Sequence, residues 1–191
     1  MIHRILIALS LLISSQCFAA SSTTGFGISA GAGIPFLGQV GANYKFSDNL
    51  SFYAGYNILS LDVDSAKAEL TMPEVGVFYH PFSGSFFLGL GVGQESLEVS
   101  ATDATTNQEV KAEVDALTGI AKLGWMWGVT NGGFWFGVDL AYIQPFNSDV
   151  TITAPGVPTT DPDYQDVVDA ADRFGDTGYI NITFARLGYI F

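Results

Sequence analysis

The stretch Tyr179–Phe191, YINITFARLGYIF, decides the fold class of this chain. Successive side chains of a strand point to opposite faces. One face then holds Ala185, Leu187, Tyr189 and Phe191, and the other holds Arg186, Gly188 and Ile190. An open, mostly apolar edge would invite pairing with another chain. The pattern therefore predicts a strand that closes a barrel against the first strand, with its aromatic face in lipid. Taken alone, the stretch also fits an edge strand of a soluble sandwich.

The first residues are typical of a secretory signal peptide. Arg4 precedes the short apolar run 5–13, and small residues lead to Ala19 and Ala20. The apolar run is too short to span a bilayer as a helix. We expect cleavage after Ala19, with cleavage after Ala20 as the alternative. The chain then divides into a signal peptide, residues 1–19, and one domain, residues 20–191.

Composition narrows the class of protein. The formal net charge is −12, which argues against nucleic acid as a partner. The mean hydropathy is nevertheless +0.31, although no later apolar run approaches the ~20 residues of a membrane helix. The single cysteine, Cys17, lies in the predicted signal peptide, so no disulfide is expected. Lipid attachment at Cys17 is a less favoured alternative, because Gln16 stands where such sites have a small residue.

Apolar side chains are spread by alternation along the chain. Seven further segments repeat the two-residue period: 26–34, 40–46, 50–58, 75–79, 86–92, 117–125 and 134–142. Most of them approach the ~9–11 residues that a tilted membrane strand requires. Together with 179–191 they predict an all-β, eight-stranded antiparallel up-and-down transmembrane barrel.

The connections alternate between short and long. Turn-rich links at 47–49, 81–85 and 128–133 separate longer, acidic links at 60–70, 100–113 and 144–176, and the first link, 35–38, is also short. Short periplasmic turns and longer extracellular loops are typical of bacterial outer-membrane barrels. We therefore expect export to the outer membrane of a Gram-negative bacterium, with both chain ends at the periplasmic rim. The short link 35–38 leaves a low wall, either a lateral opening or a short hairpin.

Aromatic residues of the apolar faces cluster near the short turns. They are Phe46, Phe52, Tyr79, Phe86, Trp125, Phe134, Phe136, Tyr189 and Phe191. Aromatic girdles flank the apolar band of membrane barrels. A lipocalin-like soluble barrel is the alternative, in which the large apolar side chains point inward. It is less favoured because the opposite face is rich in glycine, too small for a solvated exterior.

Three stretches resemble the small eight-stranded outer-membrane barrels, the OmpA-like and opacity-type membrane domains. They are GANYKFSDNLSFYAGY (41–56), VFYHPFSGSFFLGLGVG (77–93) and ARLGYIF (185–191). The resemblance implies the barrel fold and assigns Leu187, Tyr189 and Phe191 to a C-terminal signal for the outer-membrane assembly machinery. It says little about function, because members of this family serve many roles.

Four charged residues are expected inside the barrel at similar heights: Glu74, Lys122, Asp139 and Arg186. Unpaired buried charges would cost several kcal/mol each, roughly, so we expect a hydrogen-bonded interior network. Related barrels carry similar ion pairs, and in some of them rearrangement is thought to gate small-ion leakage. A static plug is favoured here over a gate.

Catalysis and metal binding receive little support. Outer-membrane palmitoyl transferases and lipid A deacylases share this barrel size and depend on histidine paired with serine. His80, the only histidine of the expected mature chain, adjoins a periplasmic turn, whereas those enzymes act on the outer leaflet. A histidine that hydrogen-bonds a turn is favoured, with no enzyme, cofactor or metal expected.

The acidic loop 144–176 contains a predicted helix. Val167, Val168, Ala171 and Phe174 fall on one helical face, with Asp163 as N-cap. Its aspartates, at positions 161, 163, 166, 169, 172 and 176, match no EF-hand spacing. A solvated acidic helix is favoured over calcium binding or divalent bridging to lipopolysaccharide phosphates.

The sequence thus predicts a non-enzymatic outer-membrane protein with a structural or surface-interaction role. The expected partners are outer-membrane lipid and lipopolysaccharide, the assembly machinery, and an extracellular partner of loops 100–113 and 144–177. A narrow gated pore for small or hydrophobic solutes is the alternative, and a lipid-modifying enzyme is the least favoured.

Overall fold

The chain folds into a closed barrel of eight antiparallel strands, each paired with its neighbours in sequence. The computed structural model describes residues 24–63, 66–102, 109–154, 168–169, 171 and 173–191. The strands are β1 (Gly25–Ile34), β2 (Gly38–Lys45), β3 (Leu50–Val63), β4 (Ala66–Tyr79), β5 (Phe86–Thr102), β6 (Glu109–Trp127), β7 (Gly133–Thr153) and β8 (Tyr179–Ile190). The predicted fold class is confirmed. The predicted signal peptide lies outside the described residues.

The barrel has two distinct rims. The links 46–49, 80–85 and 128–132 lie at one end, called the turn rim below, and the opposite ends of the strands form the far rim. At the turn rim, Ser47 Oγ accepts hydrogen bonds from the backbone N–H groups of Asn49 (3.3 Å) and Leu50 (3.1 Å), and the backbone N–H of Ser83 donates to the carbonyl of His80 (3.1 Å). The three predicted tight turns are therefore present.

Large apolar side chains cover the outside of the barrel. Phe134 is 70% exposed, Leu90 67% and Leu187 64%. A soluble barrel would turn such residues inward, because burial of apolar surface is what stabilises folding in water. Their position outside means that the wall between the rims faces lipid, where a closed barrel leaves no unpaired sheet edge.

Closure occurs between β1 and β8. The pairing runs from Gly27 with Ile190 to Ile34 with Ile182. The backbone N–H of Phe191 donates to the carbonyl of Phe26 (2.8 Å), and the two rings stack 6.4 Å apart. The strict alternation expected along the last strand is interrupted by a bulge around residues 184–185, where the registers with both β1 and β7 shift. Phe184 and Leu187 are three residues apart, a spacing that would place them on opposite faces of a regular strand. Because of the bulge, both side chains point outward.

The prediction of three long loops was wrong in extent. Residues 60–63, 66–70, 100–102 and 109–113 are strand, and β7 extends into the first part of the predicted loop, as far as Thr153. The pairing of β5 with β6 is uninterrupted from Phe86–Trp125 to Thr102–Glu109. Inward apolar residues such as Leu97 and Val114 continue the two-residue period beyond the lipid-facing band, whereas the outward residues become polar. Strands β5, β6 and β7, of 17, 19 and 21 residues, therefore extend beyond the far side of the bilayer.

A short helical segment precedes β8. Residues 168–169, 171 and 173–176 are helical, which agrees with the predicted helix, although its proposed N-cap, Asp163, lies outside the described residues. Ala171 is buried, and Phe174 stacks on Tyr179 with a ring separation of 6.3 Å. In the described part of the chain, no helix is long and apolar enough to cross a membrane.

Candidate functional site: the interior of the barrel

An apolar cluster fills the interior next to the turn rim. It consists of Tyr53, Phe78, Phe87, Met126, Val129, Trp135 and Ile190, called the turn-rim cluster below. The rings of Tyr53 and Phe78 stack with centroids 4.2 Å apart, and Phe87 lies 4.5 Å from Phe78. Because protein interiors pack like organic crystals, such a cluster excludes water from this end of the barrel.

Glycines on the neighbouring strands make room for this cluster. A Cβ atom at Gly91 would meet the Tyr53 hydroxyl, and one at Gly188 would meet the indole of Trp135. The glycine-rich inward face noted in the sequence therefore accommodates large rings that project from other strands.

Two buried ion pairs lie above the turn-rim cluster. Lys122 Nζ is 2.6 Å from Glu74 Oε1, and both side chains are only 3% exposed. Arg186 lies 3.2 Å from Asp139 Oδ2. The structure thus places all four residues predicted for the interior inside the barrel, arranged as two separate pairs rather than one direct network.

Further side chains stabilise the two pairs. Gln39 Oε1 accepts hydrogen bonds from Arg186 and from Thr183 Oγ1, each 3.2 Å long, and the Thr183 hydroxyl also lies 3.1 Å from Asp139 Oδ1. The Lys122 ammonium lies 4.7 Å from the centre of the Tyr53 ring, within cation–π range. We call the set Gln39, Glu74, Lys122, Asp139, Thr183 and Arg186 the polar layer.

A small cavity of about 30 Å³ adjoins the polar layer. Both Glu74 and Arg186 line it, one from each ion pair. Several buried polar atoms around it have no hydrogen-bond partner in the described part of the chain: Gln39 Nε2, both amide atoms of Asn43, Tyr53 Oη, Glu74 Oε2 and Trp135 Nε1. A polar cavity of this size has room for one or two water molecules, which satisfy such groups in protein interiors.

A second apolar cluster closes the interior toward the far rim. It comprises Phe36, Leu70, Met72, Ile120, Ala141 and Ile143, with Leu59, Leu97, Phe174 and Tyr179 packed against it, and is called the far-rim cluster below. Phe36, from the short first link, is completely buried in it. The ring of Phe36 therefore fills the interior beside the short link 35–38, where the sequence left a lateral opening or a short hairpin as alternatives. Buried Glu95 accepts a hydrogen bond from the Tyr179 hydroxyl (3.1 Å) beside this cluster.

His80 lies at the turn rim, just after β4. Its Nδ1 is 3.0 Å from the carbonyl oxygen of Gly84, so this ring nitrogen donates to the turn. The Asn49 amide donates to the His80 carbonyl (2.6 Å), which joins two neighbouring turns. Burial, and to a lesser degree nearby Lys45, lowers the pKa of His80 below its usual value, although hydrogen bonds that the backbone of Gly84 and Phe86 accepts oppose this effect. His80 therefore links the turn 46–49 to the turn 80–85 through hydrogen bonds.

The described residues present no group of three or more His, Cys, Asp or Glu side chains that could hold a metal ion. Most of the aspartates considered for calcium lie outside those residues. The predicted assembly residues Leu187 and Phe191 point outward, 64% and 54% exposed, and the Tyr189 ring packs edge-on between Phe134 and Phe191.

Neither the apolar clusters nor the neutral members of the polar layer are predicted by the alternation alone. Their inward direction follows from the alternation, but which residues meet across the barrel depends on strand tilt and stagger. A signal was available in Tyr53, Phe78, Phe87 and Trp135, aromatic residues on the face opposite the lipid-facing one.

Comparison with known structures gives one match that supports the fold. The major outer membrane protein of Thermus thermophilus superposes with a TM-score of 0.63 at 15% identity, covering 89% of this chain and 100% of that one. Neisserial surface protein A gives 0.49 at 12% identity (88% and 96% covered), and CarO of Acinetobacter baumannii gives 0.47 at 12% identity (86% and 97% covered). No protein-family model matches, and a comparison with curated proteins gives no match, so the OmpA-like or opacity-type assignment stays a prediction. The chain has the fold of a small outer-membrane β-barrel.

Proposed function

We propose that this protein is a non-enzymatic barrel of a Gram-negative outer membrane with a structural or surface-interaction role. The observation that supports it most directly is the closed interior. The turn-rim cluster, the polar layer and the far-rim cluster follow one another along the barrel axis. The cavity between them is only about 30 Å³. A solute-conducting pore would need a continuous aqueous path, which three filled layers oppose.

The surface available for such a role is the part of β5, β6 and β7 beyond the bilayer. Its outward residues are polar, and Lys111 there lies 3.1 Å from Glu98 and 2.5 Å from Glu113. Partners would be lipopolysaccharide at its base and an extracellular molecule at its tip, where β5 ends at Thr102 and β6 begins at Glu109. The outward Leu187 and Phe191 would serve the assembly machinery. The proposal about the assembly machinery rests on the exposure of Leu187 and Phe191.

Complementation of a deletion strain tests this proposal, with uptake of a hydrophobic dye as the measure of envelope integrity. The Glu74→Gln/Lys122→Gln variant changes the interior and leaves the surface intact, so it should restore the barrier as well as the wild type. Shortening β5 and β6 by removing residues 100–111 should abolish the effect. The surface role would be contradicted by two results together. The folded interior variant would fail to restore the barrier, and the shortened variant would restore it.

A gated pore for small or hydrophobic solutes is the second candidate. The favouring observation is that Glu74 and Arg186, members of different ion pairs, line the same cavity. Exchange of Arg186 from Asp139 to Glu74 would rearrange the polar layer. Discrete conductance steps in the wild type that change in Arg186→Ala would favour this candidate.

A further inference from the structure

The hydrogen-bonded wall of the barrel is interrupted at one place between β4 and β5. Pairing is present at Thr71 with Ser96 and at Glu74 with Gly93, but neither Met72 nor Pro73 is paired with β5 between them. Proline has no N–H group and cannot donate to a sheet ladder. The wall of this closed barrel therefore has a local gap in its backbone hydrogen bonding.

Gln94 lies opposite Pro73 and points outward. Its side chain is exposed, on the same face as Leu90 and Val92, and its pairing partner Leu117 is itself exposed. A polar group in hydrocarbon without a hydrogen-bond partner is costly. The exposed amide therefore favours a neighbour that is itself partly polar.

The gap and the amide share one groove of about 620 Å³. Its apolar walls include Val75, Val92, Leu117 and Phe146, and Pro73 and Gln94 also line it. Glu74 and Thr118 also line the groove, but both residues are buried. The groove thus combines an apolar channel on the outer wall with the exposed, uncharged amide of Gln94.

The height of Gln94 places it near the far boundary of the hydrocarbon. It is eight residues beyond Phe86, where β5 begins. At ~3.3 Å per residue and a tilt of ~40°, that is about 20 Å from the turn rim, within an apolar band ~25 Å tall. The next outward residues on the two strands are Ser96 and Thr71, followed by Glu98 and Glu69. Gln94 therefore faces the first carbons of acyl chains in the far leaflet.

A second groove on the wall provides an internal comparison. It measures about 480 Å³ and is lined by Leu88, Leu90, Leu123, Leu140, Tyr142 and Ile180, among others. Its tyrosine hydroxyl already donates to Gln144 Oε1 (2.7 Å). Lys122, which also lines this groove, is paired with Glu74, so no polar side chain of the lining lacks a partner.

We propose that the groove around Gln94 is a binding site for one far-leaflet lipid whose acyl chain carries a hydroxyl or amide group close to the headgroup. The chain lies along Val75, Val92 and Leu117, and its polar group hydrogen-bonds the Gln94 amide at the gap beside Pro73. The proposal rests on the proposed function in requiring an outer-membrane barrel, whose outer leaflet faces the far rim. It does not depend on whether the barrel conducts.

Native mass spectrometry of the folded protein tests the site. The protein is released from vesicles that contain phospholipid and lipopolysaccharide, and it is then delipidated stepwise. Of the two lipids, lipopolysaccharide is the one with hydroxylated and amide-linked acyl chains. The wild type should retain one lipopolysaccharide molecule after phospholipid is lost. Gln94→Leu, and the more shape-conserving Gln94→Met, should lower that retention about five-fold, the equivalent of one hydrogen bond of about 1 kcal/mol.

The matched control is Leu90→Ala in the second groove, which should retain lipopolysaccharide as the wild type does. Folding of each variant is checked by heat-modifiable migration on a denaturing gel. Unchanged retention in both Gln94 variants would overturn the site, as would equal retention of unhydroxylated phospholipid by the wild type. A lipid-free dimer would instead assign the groove to a second copy of the chain. Dye-barrier complementation tests the proposed function separately, so the two failures are distinguishable.

Discussion

Glu74 and Lys122 form an ion pair with almost no access to solvent, each side chain being 3% exposed. Removing one partner of such a pair leaves an uncompensated buried charge, which typically costs about 3–5 kcal/mol. We expect Glu74→Gln to lower the free energy of unfolding by about 3 kcal/mol. Urea unfolding of the protein in lipid vesicles measures this difference.

Two variants serve as controls for the ion-pair experiment. Glu74→Gln/Lys122→Gln removes both charges and should lose less stability than Glu74→Gln alone. Glu98→Gln breaks an exposed contact to Lys111 and should have little effect, because surface ion pairs are weak. A single variant as stable as the wild type would contradict our account of the polar layer.

The histidine at the turn rim predicts a pH dependence. Because burial lowers the pKa of His80 in the folded protein, the unfolded chain takes up this proton first as the pH falls. Stability contributed by neutral His80 is complete above the unfolded value of ~6.5 and is lost below it. Unfolding of the mature domain at pH 8 and pH 5.5 should therefore show a larger loss for the wild type than for His80→Asn. Equal losses in the two proteins would refute this role of His80.

For individual residues, the sequence predicted which charged side chains lie inside the barrel better than it predicted the neutral side chains that hydrogen-bond them. The heights of Glu74, Lys122, Asp139 and Arg186 could be counted from the turns. The hydrogen bonds of Gln39 with Thr183 and Arg186 could not, because they join strands far apart in sequence whose approach depends on barrel tilt.

Between the last two strands, Gly188 of β8 lies directly against the indole ring of Trp135 of β7. A Cβ at Gly188 would collide with the indole ring, which the turn-rim cluster holds in place. We expect Gly188→Ala to destabilise the barrel by about 1–3 kcal/mol, the range for overpacking. Gly84→Ala is the matched control, since only the Phe82 carbonyl, at 3.7 Å, lies near its added methyl group. Equal unfolding midpoints for the two variants would argue against this packing.

The end of β8 predicts an assembly phenotype. Phe191 stacks on Phe26 and packs against Tyr189 on the lipid-facing side of the closing strand. Phe191→Ser should slow the appearance of the heat-modifiable folded form in cells, whereas Phe82→Ser, at an exposed turn, should leave it unchanged. Identical assembly rates for both would remove Phe191 from the proposed signal.

Strand positions were predictable at the turn rim and less so at the far rim. The lipid-facing alternation located every turn-rim link, because apolar outward residues stop there. Beyond the bilayer the outward residues of β5–β7 become polar, many of them acidic, and such a composition predicts a loop rather than a strand. Inward residues such as Val114 and Ile143 nevertheless continue the strand period, and ladder pairing extends the strands.

The barrel is apolar on its outer surface, and packed side chains fill its interior. The closed architecture followed from eight alternating segments, whereas the layering of its interior needed three-dimensional packing. Two apolar clusters enclose the polar layer, so the buried charges are separated from bulk water on both sides. This arrangement favours a barrier over a channel.

Planar-bilayer conductance of the folded mature domain tests this closure most directly. Wild-type protein should give no discrete openings over a range of voltages. Trp135→Ala, which removes a large ring from the turn-rim cluster, serves with Arg186→Ala to show whether the clusters or the ion pairs maintain the seal. Steady, discrete openings from the wild-type protein would contradict the account.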